Sequence, residues 1–196
     1  MINRAELKAA AKAQIQGNIG ILFVCTLVLG VIIGVLSLIP IIGTVAGTIL
    51  IAPLTIGLIR IYFGLRRGEK PVINSLFSAL DILVNAVLLN IFIEVFTFLW
   101  SLLLFVPGII KGISYSFAPY ILAEHPELSA MEALNASKEL TQGHKMDIFV
   151  LGLSFILWGL LVSVTFGLAI IYVGPYVQAT MTNCYYKLKE LKGYGV

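Results

Sequence analysis

Hydrophobic residues dominate two long stretches of the chain, residues 13–59 and 148–186, and neither contains a formally charged side chain. A helix that crosses a bilayer needs about 20 predominantly apolar residues, so each stretch is long enough for two such helices. Each stretch is also divided by residues typical of a turn, Pro40 to Gly43 in the first and Thr165 to Gly167 in the second. The pattern therefore predicts two transmembrane helical hairpins.

A third hairpin is predicted between Ile82 and Ala123. Pro107 and Gly108 divide it, because proline can end one helix and glycine can form the turn. Its second helix is shorter than a usual span, so it is either partly immersed or the bilayer thins around it; four or five spans are the alternative. The predicted fold class is all-α, a multi-pass transmembrane helical bundle that forms a single domain over residues 1–196. Its spans are about residues 19–39, 43–63, 82–106, 109–123, 148–165 and 168–186.

Composition and charge agree with this prediction and give an orientation. The chain is 59% hydrophobic and 12% charged, and its mean hydropathy is +1.00. Twelve of its thirteen Lys and Arg residues lie on the same side of the predicted spans, and basic loops are retained in the cytoplasm. The exception, Lys111, lies close enough to the outer surface for its ammonium group to reach water. We therefore expect a cell-membrane protein whose cytoplasmic segments are residues 1–18, 64–81, 124–147 and 187–196.

A short polar or amphipathic segment precedes each hairpin, and each hairpin begins with a helix-capping residue, Asn18, Asp81 or Asp147. The nearly equal spacing predicts a threefold repeat of one short helix plus one hairpin. The segment before the third hairpin has a capping box at Ser129 to Glu132 and carries Leu134 and Leu140 on its apolar face. Such helices either cover the cytoplasmic end of the bundle or form a docking surface for a partner protein, with Leu134 and Leu140 as candidate contacts.

Glu94 is the main candidate for a functional site, because ionisable groups inside a bilayer are costly. Asn90 lies on the same helical face. On the next span, Tyr120 is expected at the depth of Glu94 and Ser116 about one turn toward the outside, where both would be hydrogen-bond partners of Glu94. Lys111 lies roughly 12 Å higher at 1.5 Å per residue, so an ion pair with Glu94 would require an offset between helices. Two interpretations remain open: a proton- or cation-binding carboxylate in an internal cavity, and a protonated carboxyl that joins two helices.

No enzymatic site is evident. The chain lacks the zinc-protease, nucleophile-elbow and phosphate-loop motifs, and both histidines, His125 and His144, lie in a predicted cytoplasmic segment. We expect no metal and no cofactor. Basic residues next to anionic lipid headgroups explain the charge pattern, so we infer membrane lipids and no nucleic acid as partners. Cys25 and Cys184 are expected to be free thiols, because a cytoplasmic setting is reducing.

The second half of the chain resembles a known family. The residues that carry the resemblance are Pro107-Gly-Ile-Ile-Lys111, Ser114-Tyr-Ser116, Tyr120-Ile-Leu-Ala-Glu124, Glu132-Ala133, Ser137-Lys138, Gly143-His-Lys145, Leu153-Ser-Phe-Ile156 with Trp158, Thr165-x-Gly167 and Pro175-Tyr176. They resemble a bacterial family of integral membrane proteins known as domain of unknown function 975, with a looser likeness at Glu6-Leu-Lys8 and Gly17-Asn18. The chain departs from the family at Thr141 and Leu157, where methionine and glycine are usual.

A more distant likeness is to the non-catalytic membrane domain attached to some glycerophosphodiester phosphodiesterases. The resemblance implies a location in a bacterial cell membrane and supplies no reaction, substrate or catalytic residue. We therefore predict a non-enzymatic membrane scaffold or accessory subunit with a membrane or cytoplasmic protein partner. The alternative is a small transporter or channel for a small or amphiphilic solute, with Glu94, Asn90 and Tyr120 along its path. The oligomeric state is left open.

Overall fold

The computed structural model describes residues 2–39, 42–103 and 105–194, and all regular structure in these residues is helical. They form ten α-helices and one 3₁₀ helix. The α-helices are α1 (Arg4–Ile15), α2 (Ile19–Ser37), α3 (Ile42–Arg66), α4 (Leu83–Leu103), α5 (Phe105–Tyr115), α6 (Ala118–Glu124), α7 (Ala130–Thr141), α8 (Lys145–Leu153), α9 (Ile156–Val164) and α10 (Ile170–Leu191). The 3₁₀ helix, Ile73–Ile82, lies between α3 and α4. The all-α fold class is confirmed.

Four helical segments are long and apolar enough to cross a membrane. They are Ile19–Leu36, Ile49–Arg66, Ile73–Leu102 and Lys145–Val164. These segments correspond to the first, second, third and fifth predicted spans, and they indicate a protein that resides in a membrane. The fourth predicted span is divided between α5 and α6, and the sixth corresponds to α10.

The predicted turns agree with the structure in one hairpin and differ in another. Phe166 and Gly167 both have positive φ, 50° and 89°, so the predicted turn between α9 and α10 is confirmed. Pro107 and Gly108, however, lie in the first turn of α5 rather than between two helices. Proline is well tolerated in a first turn, because the amide hydrogen it lacks has no partner there. Pro40, the predicted turn of the first hairpin, lies outside the described residues.

Helix α3 is the centre of the bundle. Two-thirds of its candidate membrane-spanning segment, 67%, is buried, against 11% in each of the other three segments. The outer helices expose large apolar side chains, such as Val35 on α2, Phe98 on α4 and Leu157 on α9. Such side chains are costly in water and are suited to contact with lipid tails.

One end of the bundle is held together by hydrogen bonds to the buried amide of Asn183 on α10. Its side-chain oxygen accepts from Arg66 at the end of α3 and from Gln14 on α1, at 2.8 and 3.1 Å. Its side-chain nitrogen donates back to Gln14 at 3.0 Å. Three segments that are distant in sequence therefore meet at this end.

Further hydrogen bonds join other parts of the chain at the same end. Arg60 on α3 donates to the carbonyl of Ala123 at 3.2 Å and to the carbonyl of Ser78 at 2.7 Å. Asn85, at the start of α4, donates to the carbonyl of Leu128 at 3.3 Å. The short helices that the sequence predicts at the cytoplasmic side thus meet at one end of the bundle, which we call the polar end.

Two of the segments in the predicted repeat, α1 and α7, share a local geometry. Both are 12 residues long, and each leads into the next helix through a Gln-Gly pair, residues 16–17 and 142–143. The glutamines have φ/ψ of −60°/128° and −62°/128°, and the glycines have φ of 82° and 86°. These angles define a type II turn, whose second central position requires positive φ and favours glycine.

The middle unit departs from this pattern. Asp81 lies inside the 3₁₀ helix and Asp147 in the first turn of α8, so neither is the predicted N-cap. Asn18 occupies the N-cap position of α2 but makes no capping hydrogen bond. The middle short helix is 3₁₀ rather than α, and its buried residues, Leu76 and Ala79, are three positions apart, as a three-residue period requires.

Close packing of the 3₁₀ helix on α3 depends on Gly57. A Cβ atom at this position would lie 2.6 Å from the carbonyl carbon of Leu76, which is backbone and cannot rotate away. We expect Gly57→Ala to lower the free energy of unfolding by about 1–3 kcal/mol, as overpacking does elsewhere. The measurement is the thermal unfolding midpoint of the purified protein in a maltoside detergent.

Gly64→Ala in the same helix is the matched control. Its Cβ would approach only the carboxylate oxygen of Glu69, at 2.7 Å, and that exposed side chain can move aside. Alanine also favours the helix by up to about 1 kcal/mol over glycine, so we expect a midpoint equal to or above that of the wild type. Equal destabilisation by both substitutions would contradict the packing argument.

Candidate functional site

Glu94 and Asn90 lie one turn apart on α4, as predicted. The Asn90 side-chain nitrogen donates to the Glu94 carboxylate at 2.7 Å. Glu94 is midway along the helix, yet it is exposed on the outside of the bundle. Its apolar neighbours Ile91, Val95 and Phe98 are exposed as well, so this carboxyl group shares a surface with side chains suited to lipid.

The other predicted partners of Glu94 lie elsewhere. The buried Tyr120 hydroxyl accepts a hydrogen bond from Gln178 at 3.1 Å, and the Ser116 hydroxyl donates to the carbonyl of Ile113 at 2.9 Å. The pairing of these residues with Glu94 was therefore wrong. The prediction compared depth along the two helices, which does not give the direction of a side chain. Pro119 does line a groove with Glu94, but Tyr120 contacts Gln178 on α10.

Lys111 contacts an aromatic ring rather than a carboxylate. Its ammonium nitrogen lies 4.5 Å from the centroid of the Trp100 ring, which is a favourable distance for a cation–π interaction. Trp100 is near the end of α4, far along that helix from Asn85, which contacts the polar end. This arrangement is compatible with the predicted location of Lys111 near the opposite membrane surface.

A small groove adjoins Glu94. It has a volume of about 180 Å³ and lies between α3, α4 and the start of α6. Glu94, Asn90 and Thr55 supply its polar groups, and Ile51, Ile93 and Pro119 are among its apolar residues. The groove is smaller than the roughly 300–1,000 Å³ of usual small-molecule sites, so it could hold an ion or a few waters rather than an organic solute.

Thr97 and Ser101, on the side of α4 next to the exposed side chains, pack against α5. A Cβ atom on Gly108 would lie 2.9 Å from the Cα atom of Ser101, and one on Gly112 would lie 3.9 Å from the methyl group of Thr97. The Gly108-x3-Gly112 motif thus permits close approach of two helices of the same chain, which is its usual role in membranes.

Leu134 and Leu140, the candidate partner surface, are buried inside the chain. Their exposed fractions are 0% and 2%, and both belong to the core cluster that also contains Tyr185. The apolar face of α7 was predicted correctly, but it covers α4, α5 and α6 of the same molecule. These leucines are therefore not an exposed docking surface.

A larger cavity lies at the polar end, between α6, α7 and α10, and we call it the Glu124 cavity. Its volume is about 490 Å³. Ile121, Leu128, Ala136 and Leu140 form an apolar wall. The polar groups are Glu124, His125, Lys189 and the hydroxyl of Tyr185.

Glu124 is the centre of the polar groups in this cavity. One carboxylate oxygen accepts from the ammonium of Lys189 at 2.7 Å, and the other accepts from the Tyr185 hydroxyl at 2.5 Å. Burial alone would raise the pKa of Glu124, but these hydrogen bonds and the charges of Lys189 and His125 outweigh it. The pKa of Glu124 is therefore below its ordinary value of 4.5, and the carboxyl is ionised at neutral pH.

Sequence reasoning missed this arrangement, because Glu124 and Lys189 are 65 positions apart and belong to two different predicted cytoplasmic segments. The sequence did show that Glu124 and Lys189 each lie just past the cytoplasmic end of a predicted span. Within the described ranges, no group of three or more His, Cys, Asp and Glu residues is placed to hold a metal ion.

One family model matches the chain. Residues 102–192 match the family described as Protein of unknown function (DUF975), which supports the resemblance for α5 to α10 and leaves the looser amino-terminal likeness outside the match. No curated protein and no solved structure matches. The distant likeness to the glycerophosphodiester phosphodiesterase membrane domain stays a prediction. The matched part contains every lining residue of the Glu124 cavity except Tyr194 and excludes Glu94.

Removing the charge of Glu124 is expected to destabilise the protein. Glu124→Gln leaves the buried ammonium of Lys189 without its counter-ion, at a cost of about 1–3 kcal/mol. Glu190→Gln on the same helix as Lys189 is the control, because Glu190 forms an exposed pair with Lys187 and such pairs contribute about 0.5 kcal/mol or less. Thermal midpoints in detergent at pH 7 measure both. Equal midpoints for the two variants would show that the buried pair contributes nothing.

The depressed pKa also predicts a pH dependence. A carboxyl with a lower pKa in the folded state stabilises the fold above its unfolded pKa, near 4.5, and that stabilisation is lost as the pH falls through the folded value. The difference in midpoint between wild type and Glu124→Gln should therefore be largest above pH 5 and shrink at lower pH. A difference that grows on acidification would contradict this assignment.

Proposed function

We propose that the chain is a multi-pass protein of the bacterial cell membrane, with both termini cytoplasmic, and that it acts as a non-enzymatic scaffold or accessory subunit. We further propose that its partner binds within the membrane, on the face of α4 that carries Glu94. This face takes the place of the partner surface predicted on α7, because Leu134 and Leu140 are buried. The proposal is carried by one observation, the exposed carboxyl group of Glu94 midway along an apolar helix.

The cost of an exposed carboxyl group is the physical basis of the proposal. A charged or strongly polar side chain at mid-bilayer costs about 2.5–3.5 kcal/mol or more. Asn90 satisfies one acceptor site of Glu94, but the carboxyl retains others. A second helix with a hydrogen-bonding side chain would satisfy them, and polar side chains are known to associate membrane helices in this way.

The proposed orientation, with both termini cytoplasmic, is supported by the basic residues at the polar end. Basic residues of two distant helices, Arg60 and Arg66 on α3 and Lys189 on α10, lie there, and basic residues are retained on the cytoplasmic side. The α1, 3₁₀ and α7 helices at that end cover the spans and would lie at the inner surface of the membrane.

The groove beside Glu94 favours a second candidate function, a small transporter or channel. Pro119 lines the groove in the first turn of α6, directly after the interruption between α5 and α6. Interrupted helices near a polar side chain are characteristic of ion sites in transporters. The predicted path through Tyr120 lacks support, because its hydroxyl contacts Gln178 instead, so this candidate depends on Glu94 and Asn90 alone.

Photo-crosslinking in native membranes tests the partner surface. A benzophenone side chain at Phe98, which is 66% exposed one turn from Glu94, should form a protein adduct of defined mass. The matched control is Leu157 on α9, which is 76% exposed and is expected to yield only lipid adducts. Identical adduct patterns at both positions would refute a partner on α4.

Substitutions of Glu94 separate the two functions. Glu94→Leu should weaken partner association by roughly 5- to 30-fold, since interhelical hydrogen bonds contribute about 1–2 kcal/mol. Glu94→Gln retains hydrogen-bonding groups and should retain most of the association, as measured by co-purification in mild detergent. A transporter predicts instead that both variants abolish proton or cation flux into proteoliposomes and that neither affects co-purification.

A further inference from the structure

The Glu124 cavity has the size and lining of a site for an amphiphilic small molecule. Its volume of about 490 Å³ falls within the roughly 300–1,000 Å³ typical of such sites. Ile121, Leu128 and Leu140 offer an apolar wall, and Glu124 and Lys189 lie among its polar groups. A ligand with one apolar and one charged part would match both regions.

The charge that a ligand would meet is the carboxylate. The side chain of Glu124 is 24% exposed, whereas that of Lys189 is 10% exposed. The Lys189 ammonium is bound to Glu124 and lies within 5.8 Å of the ring centroids of Tyr185 and Tyr186. A carboxylate has about four acceptor sites, and Lys189 and Tyr185 occupy two of those of Glu124.

The segment that borders the cavity on the side of α6 and α7 is acidic. Residues 124–139 contain four glutamates, at positions 124, 127, 132 and 139, and one basic residue, Lys138, in a chain whose net charge is +3. Tyr194, which is 49% exposed, also lines the cavity, and aromatic faces attract organic ammonium groups by about 0.5–2 kcal/mol.

We propose that the Glu124 cavity binds an organic ammonium compound with an apolar body, in which the ammonium donates to Glu124 and the body contacts Leu128 and Ala136. The cavity lies at the polar end, so the ligand can come from two sources that share this chemistry. One is the amine-bearing headgroup region of a lipid, and the other is a soluble alkylamine. This site is separate from the proposed partner face around Glu94 and does not depend on it.

The test uses three probes of equal chain length: hexylammonium, hexanol and hexanoate. The full-length protein is purified in a maltoside detergent, whose headgroup is uncharged, and binding is measured by isothermal titration calorimetry at pH 7. We expect hexylammonium to bind at least about tenfold more tightly than hexanol and expect no measurable binding of hexanoate. Equal affinity for all three, preference for hexanoate, or no binding of hexylammonium would each overturn the proposal.

Two variants and one control locate the site. Glu124→Gln should weaken hexylammonium binding at least about tenfold. Ala136→Phe keeps every charge but fills the cavity that Ala136 lines, so it should abolish binding even if Glu124→Gln proves too unstable to purify. Glu190→Gln removes an exposed carboxylate outside the cavity and should bind as the wild type does. Unchanged binding in Ala136→Phe would refute the location.

Lipid nanodiscs distinguish the two sources. If the ligand is a lipid amine, hexylammonium should bind more weakly in nanodiscs that contain phosphatidylethanolamine than in nanodiscs of phosphatidylglycerol alone, and Ala136→Phe should remove any excess of copurified phosphatidylethanolamine. If the ligand is a soluble amine, the affinity should not fall when phosphatidylethanolamine is present. Both results support an ammonium site and differ only in its natural occupant.

Discussion

The bilayer core offers no hydrogen-bonding partner to a polar group, and the arrangement of this molecule follows from that constraint. Apolar side chains cover the outer surfaces of α2, α4 and α9, while the polar groups that link distant segments gather at one end. There Asn183, Arg60 and Glu124 each bond to two or more other segments or side chains. The hydrogen bonds that fix the tertiary structure are therefore concentrated where α3, α6 and α10 end, and α3 is the helix that the others surround.

The same constraint explains how far the sequence could be interpreted. Long apolar runs follow from composition alone, so the spans containing α2, α3, α4 and α8 with α9 were predictable. The interruption at residues 116–117 was not, because proline at 119 is equally compatible with a kink inside a helix and with the first turn of a new one. Pro119 lines the groove beside Glu94, but the hydroxyl of the next residue, Tyr120, contacts Gln178 on α10, and a comparison of depth along two helices does not predict that direction. For Leu134 and Leu140, periodicity identified the buried face correctly but carries no information about what covers it.

The two candidate sites differ in how far the sequence alone reveals them. Glu94 is detectable in sequence because it is an acid within an apolar segment, and its neighbour Asn90 follows from helical geometry. The pair of Glu124 and Lys189 depends on tertiary structure, since two residues 65 positions apart meet only when α6 packs beside α10. Each residue taken separately has the appearance of a solvated charge at the end of a span. Only its burial and its partners distinguish it from the other basic and acidic residues of the polar end.

Helix α6 connects the two candidate sites. It is seven residues long; Pro119 in its first turn lines the groove beside Glu94, and Glu124 at its end lines the larger cavity. At 1.5 Å per residue these two positions are about 7.5 Å apart along the axis. The helix is nearly completely buried from Ala118 to Ala123, so it cannot shift without displacing its neighbours on α3 and α7. The two candidate sites therefore lie at opposite ends of one short buried helix, and the packing of α6 fixes the position of Pro119 beside Glu94 and of Glu124 beside Lys189.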